Sequence, residues 1–417
     1  MATQAERVTP GISVARLLSV SMCARFLVDT GIQLFNPFLP IIATGLGVDI
    51  VTLGRLLGVQ NLMGLASPAL GVVAERRSYR LVMRLSLLAG ALGFLCIGLS
   101  RHLALALVGM MLIGLCLAGF IPTLVAYLSA RLPYARRARG LGILEYSWAL
   151  SGIVGMMVVG QIIALYGWRA PFYGLAVGLA GMALLFGALP PVRRSAADAA
   201  LTSATGSPAL SLRHRVVRFL DLGAGARSAY CAILASTLNF VALMQFNLAY
   251  GAWFTDQYSA GPLELGTVAL LLGSFDLCAS VSVSIFTDRL GKRRSVLLGV
   301  AGALLGYAAL PMLNIGFGPA VIAFAVTRGF AEFFIVSIIT LLSEQAPKQR
   351  AKVMTINVAA MQIGFTIAGF SGPWLYTHYG VAGLSLISLL IMLGAGAIVL
   401  MWVREPDAPQ QPSTLPG

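Results

Sequence analysis

Long apolar runs separated by short charged clusters set the terms for this chain. The stretch 103–130, for example, carries no charged side chain at all. About 20 consecutive apolar residues suffice for a helix to cross the roughly 30 Å hydrocarbon core of a bilayer. Inside that core every backbone N–H and C=O must find a partner within the protein, which a helix provides by itself. Composition supports the same reading. Hydrophobic residues make up 58% of the 417 positions and charged residues only 11%, against about 25% charged in a water-soluble domain. There are too few polar side chains to coat a soluble surface, and far too many apolar ones for a disordered chain. These proportions exclude a water-soluble enzyme. At about 35 residues per helix and loop, the length predicts twelve membrane-spanning helices.

The runs place these helices at about 14–40, 53–74, 80–99, 103–130, 141–165, 170–190, 228–251, 263–287, 294–313, 318–343, 352–377 and 380–403. The first segment is too long for a cleavable signal, carries Arg25 and Asp29, and lacks a small-residue cleavage site. The only long linker is 191–227. Its second part sets Leu212, Val216, Phe219 and Leu220 on one helical face and Arg213, Arg215 and Arg218 on the other. That pattern predicts an amphipathic helix on an anionic leaflet. The chain therefore reads as a six-helix bundle over 1–190, the linker, a second bundle over 228–403 and a disordered tail over 404–417. Net charge is +14, with 26 Arg and 3 Lys. This charge sits in loops and not on one soluble face, so it speaks for membrane orientation and against nucleic acid. Loops on one side, with the termini, hold 24 Lys and Arg, and the opposite loops hold only Arg55, Arg101 and Arg169. By the positive-inside rule both termini are cytoplasmic. Cys23, Cys96, Cys116, Cys231 and Cys278 all fall inside apolar runs, with no disulfide or metal spacing, and no cofactor is expected.

The two halves repeat. Glu75-Arg76 recurs as Asp288-Arg289 at an offset of 213, and Pro133 with Arg136 recurs as Pro347 with Arg350 at 214. Tyr166-Gly167 recurs as Tyr379-Gly380, again at 213. One register for three loop features predicts two bundles related by an axis along the membrane normal, with a cavity between them.

The second of these loops carries Ser284, Asp288, Arg289, Gly291, Lys292, Arg293 and Arg294, which matches the pattern G-x-x-x-D-R-x-G-R-R with Ser in first place. The first copy is degraded to Gly71, Glu75, Arg76, Ser78 and Arg80. On these motifs and the twelve-helix repeat the chain resembles the major facilitator superfamily over essentially its whole length. The resemblance implies an all-α fold of two six-helix bundles and a conformational latch at this loop, joined by Glu145, Glu344 and Arg350. A small residue lets two helices approach, while the acid and the arginines pair with helix ends and acids across the bundle interface. Gly31, Pro37 and Pro40 in the first helix are similar to the drug/proton antiporter branch, and Gly167-Trp168-Arg169 with Phe172 is common in the superfamily. Two marks of that branch are absent. Met110 stands where an arginine is usual, and Gly152-Ile153-Val154-Gly155 where a Gly-Pro pair is usual.

Charges at membrane depth are costly and mark function. Arg25 and Asp29 fall in helix 1, Glu145 in helix 5 one turn from the cytoplasm and so with the latch, Asp276 in helix 8, and Arg328 and Glu332 in helix 10. Twice an arginine precedes an acid by four residues, which is the less favourable order for such a pair, and each buried ion must recover a desolvation penalty. As structural features these are two intrahelical ion bridges; as functional ones they are coupling groups. Asn239, Gln245, Asn247, Tyr250 and Trp253 in helix 7, with Gln33, Asn36, Gln60, Asn61, Asn357 and Gln362 elsewhere, read singly as interhelical hydrogen bonds. Together they could line a wet cavity for an amphipathic solute.

No phosphate-binding loop and no soluble nucleotide domain is present, so transport is secondary. A carboxyl buried among apolar side chains can load and release protons near neutral pH, and Asp29 and Glu332 are the candidates. The sequence thus predicts a monomeric, proton-coupled exporter of small amphipathic organic compounds in a bacterial cytoplasmic membrane. Two other readings stand beside it. Arg25 and Arg328 could clamp an organic anion or metabolite for uptake, or the chain could be a membrane scaffold or sensor that keeps the fold without transporting.

Overall fold

The computed structural model describes residues 14–132, 144, 146–188, 222, 226–345 and 349–405. Glu145, the amphipathic segment 212–220, Pro133 to Arg136, Pro347 and the tail beyond 405 lie outside these residues, as does the side chain of Asp288. Regular structure among the described residues is entirely helical.

The first crossing, α1, is a bent pair, Val14–Gln33 and Phe35–Leu46, whose segments meet at 58°. The bend has a local cause. Pro37 lacks an N–H and its ring crowds the carbonyl four residues back, on Gln33, where the helix breaks. The predicted helix over 14–40 is therefore two segments, and the second continues to Leu46. Next come α2 (Ile50–Arg76), α3 (Tyr79–Leu99), α4 (Leu103–Arg131), α5 (Tyr146–Tyr166) and α6 (Ala170–Gly187). Then follow α7 (Ala226–Tyr258), α8 (Pro262–Leu290), α9 (Lys292–Leu313) and α10 (Phe317–Gln345). The last helical run, Arg350–Trp402, has 53 residues, about 80 Å at 1.5 Å per residue. That is more than twice the hydrocarbon thickness. It breaks at Gly380 (φ 62°, ψ −164°), which divides it into α11 (350–379) and α12 (381–402) and completes twelve spans.

The repeated Tyr-Gly pair is a repeated turn. Gly167 closes α5 with φ 83° and ψ 168°, nearly the geometry of Gly380. Both lie in a region open essentially to glycine alone, so the same residue ends the fifth span and the eleventh.

The chain folds as two compact units. One comprises α1–α6 with Ala260–Leu270, and the other α7 with the remainder of the chain from Leu271. In the first, Phe35, Phe94 and Phe172 make a buried aromatic chain. Gly93 and Gly109 bring α3 and α4 so close that a Cβ on either would stand 2.7 Å from the other's carbonyl oxygen. In the second, α7 packs on α10, α11 and α12, and Phe246 touches Trp253, Tyr307 and Phe324 in a buried aromatic core. Among the polar side chains inside the two units, the charged ones and their hydrogen-bond partners define the candidate site.

Candidate functional site

In the first unit α1 carries Arg25 and Asp29 one turn apart, both buried. Arg25 Nε donates to both carboxylate oxygens, at 2.9 and 3.0 Å. Asp29 is also approached from α5: Ser147 Oγ stands 2.9 Å from its Oδ2 and 2.6 Å from the carbonyl of Leu144. One hydroxyl proton can serve only one of these acceptors at a time. One turn further on, Gln33 Nε2 donates to the Trp148 carbonyl at 3.0 Å and to Ser151 Oγ at 2.7 Å. Asn61 is satisfied within α2 by the Leu57 carbonyl. Met110, where an arginine was sought, is fully buried.

The second unit repeats the arginine-to-acid spacing but not the pairing. Arg328 on α10 turns to α8, and its Nε and Nη2 donate to Asp276 at distances of 2.7–3.0 Å. Its Nη1 donates to Asn247 Oδ1 on α7, so one guanidinium ties three helices together. Glu332 has neither a hydrogen bond nor an ion pair among the described residues. The intrahelical bridge from Arg328 to Glu332 that the sequence suggested is therefore not formed. Asp276 wins because its two carboxylate oxygens meet the Nε and Nη2 edge of the guanidinium in two parallel bonds, the arrangement that satisfies this planar fork best. Asn239 donates to the Ala331 carbonyl at 3.3 Å. Gln245 bonds to Ser371 on α11 and accepts from Ser388 on α12, which makes it a brace between helices. Tyr250 is buried close to this cluster and touches Phe324.

The loop motif also resolves into contacts, all within the second unit. Gly291 (φ 85°) turns the chain from α8 into α9. Lys292 forms an ion pair with Glu344 of α10. Glu405, just past α12, accepts the N–H groups of Lys292 and Arg293 at 3.0 and 3.2 Å, and Arg293 Nη2 donates to the Leu400 carbonyl at 2.8 Å. A carboxylate at the first N–H groups of a helix meets both its unpaired donors and its dipole. Sequence reasoning missed Glu405, whose only signal was an acid directly after the last apolar run. Ser284 donates within α8 to Ser280, and Arg289, Arg294 and Arg350 are exposed. In the first copy Ser78 takes the place of the turn glycine and caps α3 through Leu81, while Glu75 and Arg76 are exposed and a Cβ on Gly71 would meet nothing within 4 Å. Arg80 is half-buried on α3. The two copies have thus become different structures.

A polytopic helical protein of two units, with an arginine–carboxylate pair buried in the first and partly buried in the second, belongs to the class of secondary transporters in architecture. Comparison with known proteins specifies the family. The model of the Major Facilitator Superfamily matches residues 21–246 and again 231–416, so the chain is a member of that superfamily. It is 26% identical over 367 residues to "Uncharacterized MFS-type transporter YwfA" of Bacillus subtilis (strain 168), covering 85% of this chain and 84% of that one. Over 168 residues it is 29% identical to "Multidrug resistance protein MdtG" of Enterobacter lignolyticus (strain SCF1), covering 39% and 40%. Among solved structures, the crystal structure of a D-xylose-proton symporter superposes with a TM-score of 0.72 at 15% identity, over 93% of this chain and 97% of that one. At that identity the likeness concerns the fold. The protein is a multi-pass membrane transporter of this superfamily.

Proposed function

We propose that the protein exports small amphipathic organic compounds in exchange for protons, by alternating access, as a monomer in a bacterial cytoplasmic membrane with both termini inside. The observation that carries the coupling is the distribution of charge around Arg328. One guanidinium is committed to Asp276, and a second carboxyl, Glu332, makes no ion pair of its own in a helix long and apolar enough to cross the membrane. A lone carboxylate at this depth is costly and is relieved by a proton or by a positive group on the cargo. Alternation between the two is exchange. Asp29 differs: it is already held by Arg25 and Ser147. An anion clamp for uptake finds little support, because both arginines are engaged by acids. The named multidrug relatives favour export, although they cover only part of the chain.

The test is flux in proteoliposomes under an imposed pH gradient, with a panel of lipophilic solutes. Glu332→Gln should abolish pH-driven accumulation while leaving solute binding in place, and Asp29→Asn should leave accumulation pH-dependent. Normal accumulation by Glu332→Gln would refute Glu332 as the carrier.

A further inference from the structure

α5 is not a uniform α-helix. Between Ser151 and Gly155 it widens into a π-turn, in which the N–H of Met156 reaches back five residues to the carbonyl of Ser151. Such a turn holds one residue more than the α-helix it interrupts, and it is found frequently at functional sites. Three features on α1 sit directly against it. The Gln33 amide donates to the Trp148 carbonyl and to Ser151 Oγ, at the start of the widened segment. A Cβ on Gly152 would stand 3.0 Å from Gln33 Oε1, and one on Gly155 only 2.8 Å from Thr30 Oγ1. The Asp29–Ser147 contact lies one turn earlier on both helices. The extra residue therefore sits where a side chain from the neighbouring helix enters the hydrogen-bond ladder, a recognised cause of local distortion.

We propose that the π-turn at Ser151–Gly155 is a switchable element of α5 and that Gln33 is the positioning residue that holds it in the π form. The inference rests on the alternating-access reading for its role in the cycle. Loss of the π-turn would leave one residue to be absorbed by an ordinary α-helix and would rotate Met156–Tyr166 by about 100° relative to the inner half of α5. The face at stake is specific. Gly160 now meets the backbone of Pro262 and Gly266, which belong to the same unit, and a Cβ there would come within 2.6 Å of the Pro262 oxygen. Rotation takes Gly160 away from that contact and brings bulkier neighbours round.

Disulfide formation between Thr30→Cys and Gly155→Cys, in full-length protein with the native cysteines replaced by alanine, reads the register without any substrate. The pair should oxidise readily with Gln33 in place. Gln33→Leu should lower the yield at least threefold, and Gln33→Ala should do the same should the leucine variant fail to fold. Deletion of Val154 supplies the decisive control. With one residue fewer, an α-helix keeps Gly155 and all that follows on the native face, so the crosslink should return in the Gln33→Leu protein. An unchanged yield in Gln33→Leu would overturn the proposal, and so would a loss that the deletion does not restore, since that is general destabilisation. A transport assay that finds no proton coupling would leave this result standing, which separates the two readings.

Discussion

Removing the Asp276 carboxylate tests the reading of the second unit most sharply. In Asp276→Asn the guanidinium of Arg328 loses the partner it contacts at 2.7–3.0 Å, in a site where the two side chains are only 13% and 18% exposed. Breaking a buried pair from one side costs about 3–5 kcal/mol when the remaining charge finds nothing else. Here a second carboxyl is at hand, since Glu332 lies one turn along the same helix and is otherwise unengaged. Taken over by Glu332 in the less favourable intrahelical order, Arg328 should cost the fold only about 1–2 kcal/mol, an ordinary single-substitution effect. Glu332→Gln alone breaks no contact and should stay within about 0.5 kcal/mol. The double variant leaves the cation with no acid and should lose about 3–5 kcal/mol. The coupling energy is then centred on about 2 kcal/mol, outside the few tenths of a kcal/mol expected of independent sites. Thermal midpoints followed by tryptophan fluorescence in detergent would read it, at roughly 2–4 °C per kcal/mol for units of about 200 residues. An additive double variant would refute the idea that the two acids compete for one arginine. So would Asp276→Asn already losing the full amount.

Three further expectations can be checked separately. Glu405→Ala removes the acceptor for two N–H groups at the start of α9 and should cost about 1 kcal/mol, with hydrogen exchange rising first at Lys292–Ser295; Glu405→Gln, which keeps an acceptor, should lose less. Gly380→Ala forces a side chain into φ 62°, ψ −164° and should cost about 1–3 kcal/mol; Gly167→Ala should match it, and a neutral effect at both would deny that the repeated pair is a repeated turn. Reporter fusions after Arg294 should be cytoplasmic and those after Tyr258 external, and an external reporter at Arg294 would overturn the orientation drawn from the loop charges.

Much of the fold is legible in the sequence because bilayer length and backbone satisfaction leave few options. The repeat at 213 residues is legible too, down to the two Tyr-Gly pairs whose glycines share a backbone geometry. The bend in α1 was implicit in Pro37 but falls four residues before it, at the carbonyl the ring displaces. What could not be read is anything decided by a partner on another helix. Glu405 is an acid in a polar tail until α12 packs beside the start of α9. The π-turn of α5 is announced only by two glycines and by a glutamine 118 residues away from Ser151.

The arginine pairs show why spacing falls short. Arg25 and Arg328 each precede an acid by four residues, and intrahelical geometry allows both bridges. On α1 the bridge forms, because among the contacts made from α5 it is a hydroxyl, Ser147, that reaches Asp29. On α10 a carboxylate arrives from α8, 52 residues away in sequence, and takes the Nε and Nη2 side of Arg328 while Asn247 takes Nη1. With those bonds made, the guanidinium forms none to Glu332. Identical local patterns therefore give a matched pair in the first unit and a surplus acid in the second. A carboxylate already held by an arginine gains less from a proton than one without an ion pair in a membrane-spanning helix, where an uncompensated charge is costly. Coupling, if it is shared unequally between the halves of this transporter, should follow that surplus.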